Sequence, residues 1–207
     1  MKTKMILFTL LICPLIVLGQ TWDYPIRPGT EEWKALKNNQ EKVLVCQIPQ
    51  EILNAISTNE LLELCIKYPL LNDIYAFNDT SEGLNKLIKD FNGIRELLSR
   101  KDIDELLLNK YSKQLDNELI LDSKDSNFDK GEYIVLISTL ELLLSIDEIQ
   151  IKLPLLSKKK IMSELWRGYE MKKTKNIYFQ GIGFKTNFSA MSRILSSAEE
   201  NKALINS

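Results

Sequence analysis

The stretch Tyr133–Ile146 has no polar face. Only Ser138, Thr139, Glu141 and Ser145 interrupt its apolar residues. A helix that is apolar all round must be enclosed by other elements. The chain is therefore expected to be built around this segment as its most buried helix. Glu141 at its middle argues against a role inside a membrane.

The segments on either side repeat their apolar residues at helical spacing. Trp33 and Leu36 begin one face after Thr30, a helix N-cap candidate followed by Glu31 and Glu32. That helix is expected to continue or restart through Val43, Leu44 and Cys46. Pro49 opens the next turn, with Ile52, Leu53 and Ile56 on one side. Ser57-Thr58-Asn59-Glu60 has the form of a capping box, ahead of Leu61, Leu64, Cys65 and Tyr68. Asp79 stands as a cap before Leu84, Leu87, Ile88 and Phe91, and Asn92-Gly93 reads as a left-handed stop. Short helices are expected around Ile94–Leu98, Ile103–Tyr111 and, more weakly, Leu115–Ile120. After Pro154, residues 157–174 form an amphipathic helix, Ile177–Phe188 a loop or short hairpin, and Ala190–Leu204 a last helix. Strand patterns are nearly absent. The expected fold is all-α, with eight to ten short helices stacked as hairpins in an array or irregular bundle. A faint echo, Glu63–Tyr68 against Leu106–Tyr111, has the spacing of helical repeats but rests on few identities.

The first residues carry an address. Lys2 and Lys4 precede an apolar run, Met5–Leu18, and Gly19 ahead of Gln20 suits a signal peptidase. The run is shorter than the about 20 residues of a spanning helix and contains Pro14. Residues 1–19 are expected to be a cleaved signal peptide, 20–29 an extended arm, and 30–207 one helical domain whose halves meet near 122–131. Cleavage takes two lysines and no acid, so 27 basic residues become 25 against 28 acidic ones. A mildly acidic exported chain is a poor match for nucleic acid.

Export bears on the cysteines. Cys13 leaves with the leader, and Cys46 and Cys65 remain. An even pair in an oxidising compartment points to a disulfide. Its loop of about 20 residues would contribute roughly 3 kcal/mol. The alternative is a pair of buried free thiols.

There is no histidine. That excludes Ser-His-Asp and Cys-His nucleophile systems, H-E-x-x-H metalloproteases and His-ligated metals. No phosphate-binding glycine loop is present, and Gly181-Ile182-Gly183 lacks the third glycine. Asp125–Asp129 alternates oxygen ligands, but the glycine of a calcium loop belongs at its sixth position and Gly131 is at the seventh, and Leu136 stands at the twelfth in place of glutamate. The acid pairs Glu60/Glu63 and Asp102/Glu105 lie in first turns, where they complement the helix dipole. No catalytic, cofactor or metal residue is assigned.

Two groups remain as partner-binding candidates. Trp22, Tyr24 and Trp33 crowd the start of the processed chain; aromatics of this kind anchor interfaces, or pin an arm to its own body. Lys158, Lys159 and Lys160 open a basic helix that also holds Arg167, Lys172, Lys173 and Lys175 against Glu164 and Glu170. Such a helix meets anionic lipid or acidic glycan, or is a solvated face.

Several blocks carry a resemblance. They are Tyr24-Pro25-x-x-Pro28-Gly29-Thr30-x-x-Trp33-Lys34, Cys46-Gln47-Ile48-Pro49, Ser57-Thr58, Cys65 with Tyr68-Pro69-Leu70, Ala76-Phe77-Asn78, Phe91-Asn92-Gly93 and Arg100-Lys101-Asp102. As a set they resemble a family of exported helical proteins of anaerobic Gram-negative, Bacteroides-type bacteria. The likeness spans roughly residues 24–111 and fades after Tyr111. It implies export, a helical fold and the cysteine pair, and it carries no activity with it.

The expected function is an exported, non-catalytic helical module of the cell envelope, periplasmic, surface-bound or secreted. It would bind another envelope protein or a glycan, or serve assembly. A periplasmic inhibitor or immunity-type protein is the alternative, and a hydrolase working through carboxylates a more distant one. No cofactor, no nucleic acid and no membrane span after leader removal are expected.

Overall fold

The computed structural model describes residues 22–122, 127–180 and 182–197. The expected leader with its cut before Gln20, Asp125 and Ser126 of the Asp125–Asp129 stretch, and the end of the last expected helix lie outside the described residues. Eleven α-helices and two 3-10 turns make up the described chain, with no strand among the described residues. The fold is all-α, and the extra elements beyond the expected count are short turns of helix between longer ones. None of the described helices is long and apolar enough to cross a membrane.

The first half is a pile of small helices. These are α1 (Glu31–Ala35), α2 (Asn39–Val45), α3 (Gln50–Ala55), α4 (Thr58–Ile66), α5 (Thr80–Asp90) and α6 (Asn92–Ser99), with a 3-10 turn at Leu71–Ala76 before α5. Local chemistry starts them where the sequence predicts. Thr30 accepts from Trp33 N, Ser57 and Glu60 form a complete capping box, and the Asp79 carboxylate accepts from Ser81 N. Leu36 and Asn38 divide the first expected helix into α1 and α2, because the Asn38 side chain takes Glu41 N and restarts the turn.

Asn92-Gly93 is a correction. The pair does not end a helix; it begins α6, with Phe91 closing α5 and opening α6. The cause lies far away in sequence. The Asn92 side chain accepts from Ile48 N at 3.0 Å and donates to Ile48 O at 2.7 Å. Gln47 answers by accepting from Asn92 N at 3.1 Å and donating to Asp90 O at 3.1 Å. Gly93 is required for this approach: a Cβ there would stand 2.4 Å from the Phe91 ring and 2.9 Å from Ile48 Cδ1. The expected left-handed stop is replaced by a tight joint.

The second half is a ring of four longer helices. They are α7 (Ile103–Leu115), α8 (Asn127–Leu144), α10 (Leu155–Thr174) and α11 (Ile182–Ser196), with a 3-10 turn Glu118–Leu121 and the short α9 (Asp147–Lys152) between them. Contacts run α7 to α8, α8 to α11, α11 to α10 and α10 back to α7. This closed ring is a four-helix arrangement around a shared core. Every residue from Ile137 to Ile146 is buried, as its all-round apolar character requires. Residues 182–188 are helical, where the sequence predicts a loop or hairpin. Phe184 and Phe188 are one helical turn apart, and buried Gly183 packs against the Phe179 ring.

The arm is pinned. Tyr24 is buried and donates from its hydroxyl to Leu64 O at 2.8 Å. Trp22 lies edge-on to it at 5.0 Å, and Tyr68 stacks on Phe91 at 3.9 Å beneath. The same region holds the cysteines, and here the disulfide expectation fails. Cys46, the residue closing α2, and Cys65 in α4 are both buried free thiols. Both lie near the Tyr24 phenol, in a core closed by aromatic packing rather than by a bond. Burial pushes the Cys46 thiol up to about 11 and raises Cys65 as well, so neither supplies the thiolate that disulfide exchange needs.

Thiol labelling of the non-reduced protein checks this. The native protein is expected to label slowly or not at all, and the denatured protein to label at both Cys46 and Cys65. Absence of labelling after denaturation would restore the bridge.

Candidate functional site

At the centre of the four-helix ring sits a carboxylate. Glu141 on α8 and Lys172 on α10 are both 0% exposed in their side chains and form an ion pair of 2.5 Å. Oε2 of Glu141 also accepts from Thr186 Oγ1 at 2.6 Å. Oε1 accepts from Tyr111 Oη at 2.8 Å and from Asn187 Nδ2 at 3.0 Å. Lys172 Nζ makes a second bond, to Gly183 O at 2.6 Å, and Asn187 Nδ2 a second to Leu165 O at 3.0 Å. Gly168 makes room: a Cβ there would stand 2.0 Å from Tyr111 Oη. Within this cluster Asn187 Oδ1 alone lacks a partner.

The electrostatics follow from enclosure. Burial holds the Lys172 ammonium below the ordinary lysine value, opposed by the neighbouring Glu141. Burial, with Glu141 beside it, raises the Tyr111 phenol well above its ordinary value. The cluster has the residue types of acid–base chemistry, but no substrate reaches fully enclosed side chains whose donors are already engaged. It is a structural lock. A buried pair costs desolvation and is repaid only when its remaining groups are hydrogen-bonded, as these are.

The surface offers concavities. One is an open groove of about 820 Å³ between the arm and α8, lined by Tyr24, Arg27, Lys67, Phe128, Glu132 and Val135. A smaller one of about 370 Å³ brings Asp104 and Glu148 together beside Arg100, Lys101 and Lys152. Pockets of about 350 and 100 Å³ hold Asp73 and Asp90 with Lys86, and Asp147 and Glu148 with Arg193. In each of these four, Lys or Arg stands among the acids. Among the described residues no group of three potential ligands gathers for a metal.

The outer face of α10 and α11 is different. Trp166 is 57% exposed, Phe188 50% and Leu195 46%. Tyr169 lies between the two helices, 5.3 Å from Trp166, 5.6 Å from Phe188 and 6.1 Å from Phe184 by ring centre. On α11 the sequence puts Phe184, Phe188, Met191 and Leu195 in one stripe. The same spacing puts Lys159, Trp166 and Lys173 in one row on α10. Exposed and half-buried apolar side chains thus gather on one side of these two helices.

The sequence-predicted candidates divide. Tyr24 is in the core, and Trp22 and Trp33 are half-buried, Trp33 under the Lys42 ammonium at 5.6 Å. They fasten the arm. Lys158 and Lys172 are buried, so these two do not belong to the basic face expected of this helix. Arg167 is tied to Asp116, Glu164 and Ser112 O, and Lys175 to Asp122. Lys160 is exposed and Lys159 half-buried. Glu141, Thr186, Asn187 and the aromatic face were missed by sequence reasoning. One signal was available: Ile161, Leu165, Gly168 and Lys172 follow at inward-facing spacing, so Lys172 needed a buried acid, and Glu141 stands alone in an apolar run. No family model, curated protein or solved structure matches the chain.

Two outcomes follow from the lock. Lys172→Met and Glu141→Gln each leave a buried charge uncompensated and are expected to cost about 3–5 kcal/mol. The double variant is expected to lose less than the sum by about 1–3 kcal/mol, read by urea unfolding. The buried tyrosines add a pH effect. Burial raises Tyr24, Tyr68, Tyr111 and Tyr133, and lifts Tyr75 to about 12. Unfolded, they ionise near pH 10. Their contribution is therefore complete below pH 10 and declines above it. In alkaline titration the phenolate absorbance of these residues is expected to appear together with loss of the far-UV helical signal, not before it.

Proposed function

We propose that the protein is exported, loses its leader near Gln20, and acts in the cell envelope as a non-catalytic binding module. Its contact surface is the outer face of α10 and α11. The observation that carries this reading is the exposed aromatic cluster around Trp166 and Phe188. Large rings left half in water, on helices whose inner sides are locked by a buried ion pair, form a rigid and pre-arranged contact area. Lys2, Lys4, the apolar run and Gly19 support export. The enclosed polar cluster and the cation-lined concavities favour binding over turnover.

The test is capture from the protein's own envelope fraction, with the native chain and a Trp166→Ser/Phe188→Ser variant side by side. A component retained by the first and lost from the second is expected, with unchanged thermal unfolding of the variant. Equal retention by both chains, or turnover of envelope carbohydrate, would overturn the reading.

A further inference from the structure

We propose that the α10/α11 face adsorbs to an anionic lipid surface. This rests on the reading of that face as the contact surface and names what it contacts. The face is aromatic, with Trp166, Tyr169, Phe184 and Phe188 gathered on it. None of the four concavities described above is lined by Trp166, Tyr169, Phe184 or Phe188. A partner side chain that anchors an interface needs a pocket to fill. A bilayer interface needs only rings of amphipathic character at headgroup depth.

Charge selects the lipid. Lys159 and Lys173 lie seven residues to either side of Trp166, so each flanks the indole two turns away along the same side of α10. Lys185 is exposed beside Phe184 on α11. Glu170 is the acid on this row of α10, and it faces Lys173 at 3.8 Å. Several neighbouring cations are drawn away from this face: Arg167 towards Asp116 and Glu164, Lys175 just after α10 towards Asp122, and Lys158 and Lys172 into the core. What remains is a ring-bearing face with a basic rim. Long lysine stems lie along apolar surface while the ammonium reaches the headgroups. A second copy of the chain fits poorly, because a two-fold pairing of this face would set its basic rim against the same rim.

The test is flotation with vesicles of phosphatidylcholine, with and without phosphatidylglycerol. All chains are recovered after export with the N-terminus sequenced, so that any apolar leader contributes equally. Binding to the anionic vesicles alone is expected, weakening as ionic strength rises. Trp166→Ser/Phe188→Ser is expected to reduce binding by at least about tenfold. Lys159→Glu/Lys173→Glu is expected to remove the preference for phosphatidylglycerol, and Leu119→Ser, exposed on the 3-10 turn after α7, to change nothing. No vesicle binding, or binding equal in the aromatic variant, overturns the proposal. So does a concentration-dependent dimer that the aromatic variant dissolves. An envelope protein captured through Trp166 with no vesicle binding would leave the binding-module reading intact and remove the lipid from it.

Discussion

The Glu141 carboxylate is the interaction on which the rest of the bundle depends. It is charged, fully buried, and contacted by groups from all three other helices of the ring: Tyr111 on α7, Lys172 on α10, and Thr186 and Asn187 on α11. Apolar packing tolerates small sliding between helices. Directed bonds to one carboxylate do not, because a shift by one residue would leave a buried charge or donor without its partner. The cluster therefore fixes the axial position and rotation of α10 and α11. With Lys172 and Gly168 facing inward, Trp166 and Tyr169 are turned to the outside. The aromatic face is a geometric consequence of the lock behind it.

The small helices of the first half join this bundle through α7. Lys110 pairs with Glu63 on α4, while the next residue, Tyr111, enters the Glu141 cluster. Thr58 at the start of α4 donates to Asp102 at 2.8 Å, and Arg100 donates to Leu53 O at 2.7 Å. One helix thus forms a wall of both regions, and adjacent residues on it reach partners in each. The arm is fastened to the first half by Tyr24, whose hydroxyl donates to Leu64 O in the last turn of α4. Buried apolar residues continue without a break in kind from Tyr24 to Ile194.

What was legible in the sequence was local. Ser57 and Glu60 cap a helix through atoms three residues apart, and Thr30 and Asp79 act over similar distances, so their roles are written in adjacent letters. The apolar circumference of Tyr133–Ile146 likewise announces its own burial. The misreadings all involve distant partners. Asn92-Gly93 looks like a stop until Ile48 supplies both a donor and an acceptor for the asparagine. Lys172 looks like one more surface cation until Glu141, 31 residues earlier, is placed opposite it. Phe184 and Phe188, near two glycines, look like a loop until α10 gives them something to lie against. The cysteine pair was judged by compartment and parity, and neither of those reports how a core is packed.

The candidate surface emerges from an inversion of the usual distribution. A lysine of α10 and a glutamate of α8 are fully enclosed at the centre of the bundle, while a tryptophan of α10 and a phenylalanine of α11 stand half in water. Burying the charges costs desolvation, and exposing the rings forgoes apolar burial. Neither helps a helical bundle simply to fold, since apolar residues at the centre are often as stable or more so. The two features fit together if the inner one holds the outer one still. Trp166 and Phe188 are on different helices, and their spacing is useful to a partner only while α10 and α11 keep one register. A buried pair that permits a single arrangement supplies that constancy, which a uniformly apolar core would supply less strictly.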